Sequence, residues 1–426
     1  MVNQTNRMPP KKQKKLGAPF AFKGAAPLDR GLLATILIIV VFGLVMLFSV
    51  SYASGYYQYN DSFYYIYNQG KLAFGGIIVM FLASYVNLDW VRIFTWPLYA
   101  ITIFLLIIVF FFTSSNDGLE EFHRWIYIGG SSFQPSEIAK FSISLTCAWL
   151  ATRYEKKIRS NRFKEYTIYG IGIFMIALAP MAVLIYKEPH LSATVIMICI
   201  TLIVMFMAGT NWRWCTLGIV CMGAGIATIG LFLDKIIPLL PEHAQPRLEL
   251  WENPFLDPLG KGMQTVQGLY AIGSGGLKGL GIGNSRQKHL WVPEPYNDFI
   301  FSIICEELGF IGALIILFLF ALLIFFGFRT AVKCPDRFNS LVAAGITGQV
   351  AVQVFFNIGV VTGLLPNTGI SLPFFSYGGT SLLMLLGEMG ILLAISRKCN
   401  EKTEEQAVPA KPNESKEQVV MYPTKE

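Results

Sequence analysis

The sequence predicts an all-α, polytopic membrane protein with about ten transmembrane helices and a large extracellular loop between helices seven and eight. Three observations predict it. Of 426 residues, 54% are hydrophobic and only 14% are charged, whereas a water-soluble domain carries about a quarter. The charges gather in short clusters between apolar runs. Several runs are long enough to cross a hydrocarbon core of about 30 Å, which takes ~20 helical residues. They are continuous rather than alternating, which argues against a barrel built from ~10-residue strands.

The elements follow in order. A basic cytoplasmic tail is expected over 1–30. The first apolar run, 32–52, lacks a convincing small-residue cleavage site and reads as a retained span rather than a signal peptide. Further spans are expected over 71–87, 94–113, 135–152, 167–186, 191–208 and 213–233. After the loop 234–298 come 299–328, 339–361 and 378–396. The span at 299–328 is long enough to tilt or to continue beyond the bilayer. The membrane domain thus occupies 31–396. Residues 397–426 are polar, rich in Glu and Lys, and expected to be a disordered cytoplasmic tail.

Orientation follows from Lys and Arg. Positive charge is concentrated before span one (Lys11, Lys12, Lys14, Lys15), after span four (Arg153, Lys156, Lys157, Arg159), after span eight (Arg329, Lys333, Arg337) and after span ten (Arg397, Lys398). With ten alternating spans these share one side, the cytoplasmic side, and both termini lie there. None of the seven cysteines falls in an outer loop, so no disulfide framework is expected. The net charge of +7 suits contact with anionic membrane lipids. No basic module with interleaved aromatics suggests nucleic-acid binding.

Two outer loops are long and specific, 113–137 and 234–298, and long polar loops in a compact membrane protein are usually functional. Asp298 is the last polar residue before the apolar run FIFSII. At the water–lipid boundary a carboxylate is partly desolvated, which strengthens it as a base; an ordinary helix N-cap is the alternative. Glu306 and Glu307 lie two turns further on. Intramembrane carboxylates are costly and mark either function or a structural ion pair. Glu137 and Lys140, three apart, share a face of span four and can pair. Arg124 and Trp125 precede them, and a Trp there also suits a membrane-interface belt. The glycine run GSGGLKGLGIG (273–283) lacks the GxxxxGK[ST] order and reads as tight turns. No HExxH, CxxC or EF-hand spacing is present, so no metal site and no cofactor are expected; divalent-cation dependence stays open.

Three strings together resemble a known family: RWIYIGGSSFQPSEIAK (124–140), QTVQGLYAIGSGGLKGLGIGNSRQKHLWVPEPYNDFIFSIICEELGFIG (264–312) and GLLPNTGISLPFFSYGGTSL (363–382). In order and spacing they resemble the SEDS family, which includes FtsW, RodA and SpoVE, and the FtsW/SpoVE branch more than RodA. Two positions depart from the usual pattern: Pro189-His190-Leu191-Ser192 stands where a Pro-Asp-Leu-Gly turn is common, and Asn367 where Val is common.

The resemblance implies an inverting peptidoglycan glycosyltransferase that polymerises lipid II at the outer membrane face, in septal wall synthesis for division or sporulation. It implies Asp298 as the catalytic base. Lys140, Arg124, Arg247, Arg286 and Lys288 are candidates for the substrate diphosphate, with Glu137, Trp125, Glu306 and Glu307 as binding or supporting residues. It also implies a class B penicillin-binding protein and divisome-type proteins as partners. Two other readings stay open: a lipid II flippase, with Glu306, Glu307 and Glu388 lining a polar path, and a scaffold that only recruits a synthase. An elongation-type polymerase is the alternative biological role.

Overall fold

The computed structural model describes residues 18–20, 27–111, 125–128, 131–160, 162–188, 191–231 and 245–407. A helix coincides with each of the ten expected spans: α1 (Arg30–Tyr59), α2 (Tyr64–Ala83), α3 (Leu88–Ile108), α4 (Pro135–Arg153), α5 (Phe163–Lys187), α6 (Leu191–Met207) and α7 (Trp212–Leu231). The large loop after α7 contributes α8 (Gln245–Glu252) and α9 (Met263–Gly275); then come α10 (Ile300–Lys333), α11 (Arg337–Val361) and α12 (Gly379–Ala407). Seven of these are long and apolar enough to cross a membrane, and α6 is a shorter apolar helix. The chain is a multi-pass helical membrane protein.

Several boundaries differ from expectation, for local reasons. Helix α1 starts where Asp29 accepts hydrogen bonds from the amides of Gly31 and Leu32, at 3.0 and 3.1 Å. It runs past the expected end at 52 to a left-handed Asn60 (φ 53°), because the Tyr-rich segment is compatible with helix although it is less apolar. Helix α3 begins earlier than expected because Asn87 caps it, accepting from the Asp89 amide at 3.1 Å. Helix α12 continues to Ala407, so the tail expected from 397 starts helical. Residues 126–128 and 131–133, expected as plain loop, form a small antiparallel hairpin, β1 and β2. The basic segment 1–17 and the tail 408–426 lie outside the described residues.

Helix α4 sits inside the bundle against α3, α6 and α11, and α12 packs on α2. That explains why α4 can carry Ser142, Ser144 and Thr146, all fully buried, in place of lipid-facing apolar residues. Gly345 of α11 lets its backbone approach the Ser144 side chain where any Cβ would collide. By contrast α10 turns Phe310, Phe318 and Phe325 outward, as lipid contact requires.

The two ends of the bundle are distinct. At one end Arg92 pairs with Asp336 (3.3 Å), Lys398 with Asp89 (3.8 Å) and Arg337 with Glu155 (3.8 Å), and Arg337 donates to the carbonyl of Met207 at 2.6 Å. These contacts gather the segments expected to be cytoplasmic. The segments expected to be outer meet at the other end.

Candidate functional site

The candidate site is built where the end of the large loop meets the segment between α11 and α12. Asp298 stands two residues before α10 and is half-buried. The N-cap position of α10 falls on Phe299, one residue past the expected Asp298. Its carboxylate faces Gly369: a Cβ built there would stand 3.3 Å from Asp298 Oδ2.

The 362–378 segment that forms this wall is irregular but anchored from many sides. Trp251 Nε1 donates to the carbonyl of Gly363 at 3.1 Å. Asn367 donates to Gln264 Oε1 at 3.0 Å, and Gln264 in turn donates to the carbonyl of Pro293 at 3.2 Å. Ser192 donates to the carbonyl of Thr368. Two of the residues that depart from the family pattern, Ser192 and Asn367, therefore both hold this wall. Pro189 and His190 lie outside the described residues.

An aromatic cluster closes the same side. The Tyr65 hydroxyl lies 2.7 Å from that of Tyr296 and 2.5 Å from Gln58 Oε1, and the Tyr377 amide donates to the carbonyl of Tyr296 at 2.8 Å. Burial pushes the Tyr296 phenol above its ordinary range, so it stays a neutral hydrogen-bonding group. The Tyr-rich 51–67 segment is thus more than an interface belt, since Tyr65 packs against the site's own loop.

Glu306 and Glu307 are buried and fully engaged. Glu306 accepts from the Ser285 hydroxyl, from the Arg286 amide at 3.0 Å and from the Gln287 amide at 3.3 Å. Glu307 forms an ion pair with Lys288 at 2.8 Å, with side-chain exposures of 0% and 2%. Its second oxygen accepts from Ser49 of α1 at 2.6 Å. The glycine run lies directly on this turn: the amides of Leu280 and Gly281 donate to the carbonyls of Glu306 and Glu307, both at 2.9 Å. Close backbone packing requires glycines here. Gly309 has φ +66° and would set a Cβ 2.6 Å from the carbonyl oxygen of Leu277. The helix breaks its regular dihedrals at Gly309, so the upper turns of α10 and the loop form one unit.

Glu137 and Lys140 pair as expected, at 2.8 Å and almost wholly buried, and Ser381 donates to Glu137 at 3.3 Å. Deeper in the bundle Gln349 donates to both oxygens of Glu388, at 3.2 and 3.0 Å. Of the other sequence-based candidates, Arg286 is exposed and Trp125, just before β1, is half-buried. Arg124 lies outside the described residues, and Arg247 falls in α8 with its side chain outside them.

Sequence reasoning missed Asn357, which donates to the carbonyls of Asp298 and Ile370 at 2.8 and 2.7 Å. A signal was present. Gln349, Gln353 and Asn357 recur every four residues along α11 and so share one face of a membrane helix, where polar side chains are rare.

The fold and site define a polytopic helical membrane protein with a carboxylate set at one mouth of the bundle. The chain belongs to the FtsW/RodA/SpoVE family: that family's profile, described as "Cell cycle protein", matches residues 30–401. The chain is 38% identical over 363 residues to stage V sporulation protein E of Bacillus subtilis, covering 85% of this chain and 94% of that protein. It is 36% identical over 376 residues to the probable peptidoglycan glycosyltransferase FtsW of the same organism, covering 86% and 90%. Among solved structures it is similar to a chain of a peptidoglycan synthase complex described as coordinating polymerization and crosslinking (TM-score 0.69, 27% identity, 87% of this chain and 98% of that one). It is also similar to the rod shape determining protein RodA of Thermus thermophilus (TM-score 0.61, 25% identity, 87% and 97%).

Proposed function

We propose that this protein is a peptidoglycan glycosyltransferase that polymerises lipid II into glycan strands, with Asp298 as general base. The carboxylate takes the proton from the GlcNAc 4-hydroxyl of an acceptor. That oxygen attacks C1 of the MurNAc at the reducing end of the growing chain, and undecaprenyl diphosphate leaves. An α-linked donor gives a β-linked product, so the reaction inverts and needs no covalent intermediate. Diphosphate is already a good leaving group, so one carboxylate suffices, unlike a glycosidase, which needs a second as acid. The observation that carries this reading is the setting of Asp298: half-buried, one residue ahead of the α10 cap position, and facing a glycine in a wall held by four helices.

The cations divide by their surroundings. Lys288 and Lys140 are buried in ion pairs and serve structure. Arg286 is exposed in the outer loop and is the described candidate for the leaving diphosphate. The flippase alternative draws no support from Glu306 and Glu307, whose oxygens are taken up by the loop and by Ser49 of α1. Similarity to SpoVE and FtsW supports a septal role, in division or sporulation. A class B penicillin-binding protein fits as partner, since a polymer made alone would lack cross-links; divisome-type proteins would accompany it.

The test is purified protein incubated with labelled lipid II, with and without that partner. A glycan ladder is expected, and its absence in both arms sinks the polymerase reading. Parallel reactions with EDTA and with Mg²⁺ read any divalent-cation dependence. Both termini are proposed to lie in the cytoplasm and the 234–298 loop outside, as the distribution of Lys and Arg implies. Lys278→Cys and Arg286→Cys, at exposed positions, should then react with an impermeant maleimide in intact protoplasts. Labelling only after lysis would invert the topology.

A further inference from the structure

Asn357 lies near the end of α11 and is fully buried. Its side-chain NH2 donates one hydrogen bond to the main-chain oxygen of Asp298 (2.8 Å) and another to that of Ile370 (2.7 Å). The two carbonyls belong to the two walls of the site. One is the residue that carries the base. The other directly follows Gly369, the position that the Asp298 carboxylate faces. The orientation of the amide is fixed by chemistry, because the flipped form would set its oxygen against two carbonyl oxygens. Its own Oδ1 has no partner among the described residues, so the side chain is placed for what it donates.

We propose that Asn357 is a positioning residue for Asp298: one buried amide fixes the backbone of the base relative to the wall against which the acceptor hydroxyl must lie. This role rests on the assignment of Asp298 as base given above. Asn357 touches no reacting atom. It acts by holding two irregular segments, neither of which has a regular hydrogen-bond ladder, at one separation. Proton abstraction depends steeply on that separation, and a displacement of about 1 Å can cost about 10²-fold in rate.

The experiment uses the purified full-length protein in the glycan-synthesis assay. Asn357→Asp keeps the volume but cannot donate to both carbonyls; Asn357→Gln keeps the NH2. The expected result for Asn357→Asp is a fall in kcat of about 10–100-fold, with KM for lipid II within about twofold of wild type. The acid limb of its pH–rate profile should keep its midpoint, because the carboxylate's own surroundings are intact. Asn357→Gln should recover part of the rate. If Asn357→Asp does not fold, Asn357→Ser, with a single donor, takes its place with the same expectation. A folded Asp or Ser variant with kcat within about twofold of wild type overturns the proposal, as does a loss that follows only the amount of folded protein. Asp298→Asn is assayed alongside. If it polymerises normally, the base assignment itself fails. If it is inactive while the Asn357 variants keep their kcat, only the positioning role fails.

Discussion

The mouth of the bundle at the candidate site holds its acidic residues in two ways. Glu306 and Glu307 are surrounded by donors: a lysine, two hydroxyls and two main-chain amides. Asp298, a few residues earlier, is held by its main chain while its carboxylate stands half-buried against a glycine. The buried pair of acids fixes a loop to a membrane helix; the task proposed for the half-buried carboxylate beside Gly369 is to move a proton.

The sharpest way to break this contrast is Asp298→Asn. The amide keeps the size and removes the proton acceptor. Turnover should fall about 10²–10⁴-fold with the protein still folded, since Asn keeps the size of the side chain. Wild-type polymerisation by the folded variant would erase the distinction between the two groups.

Glu307→Gln should do the reverse and act on folding. It leaves Lys288 buried with a neutral neighbour, and breaking a buried pair costs about 3–5 kcal/mol. The readouts are yield and detergent-resistant thermal unfolding. Removing both charges together, Glu307→Gln with Lys288→Met, should restore much of the stability. If the double variant is no better than the single one, the pair is more than structural.

The Glu137–Lys140 pair sharpens the comparison from a second buried site. Either single reversal should destabilise, and the swap Glu137→Lys with Lys140→Glu should be milder because attraction is regained. Ser381 donates to Glu137 and would then face an ammonium, so the rescue should be partial. Full recovery of polymerisation by the swap would rule out a specific part for Lys140 at the diphosphate.

The smallest effect is expected for Gly309→Ala. Its φ of +66° and the nearby Leu277 carbonyl make the change cost about 1–3 kcal/mol, read as a lowered midpoint of thermal unfolding. An unchanged midpoint would mean that the loop and α10 are less tightly joined than their hydrogen bonds imply.

Much of this was legible in the sequence. Every expected span has a helix, because apolar runs between charged clusters leave little choice in a bilayer. Boundaries moved where caps such as Asn87 and Asn60 outweighed hydropathy. The Glu137–Lys140 pair was readable because both partners lie on one helix. Asp298 stood out by its place at the edge of an apolar run. What could not be read were contacts between distant segments. Glu307 with Ser49, Asn357 with Asp298, and Tyr65 with Tyr296 each join parts of the chain far apart, and spacing carries no trace of them. The two departures from the family pattern were visible, but not that Ser192 and Asn367 grip the same strip of backbone.

The fastening of Glu307 also bears on how the chain is made. A helix with two adjacent acids is a poor candidate for entry into lipid by itself. Yet among the described residues every group that hydrogen-bonds these carboxylates precedes them in the chain: Ser49 in the first helix, then Ser285, Arg286, Gln287 and Lys288 within some twenty residues upstream. A ribosome emits residues in that order. By the time α10 leaves it, Lys288 and its neighbours have already been synthesised, and the acids can be neutralised locally as the helix partitions sideways into the membrane. Moving the 285–288 segment to the far side of α10 in a permuted gene would keep the same set of partners and deliver them too late.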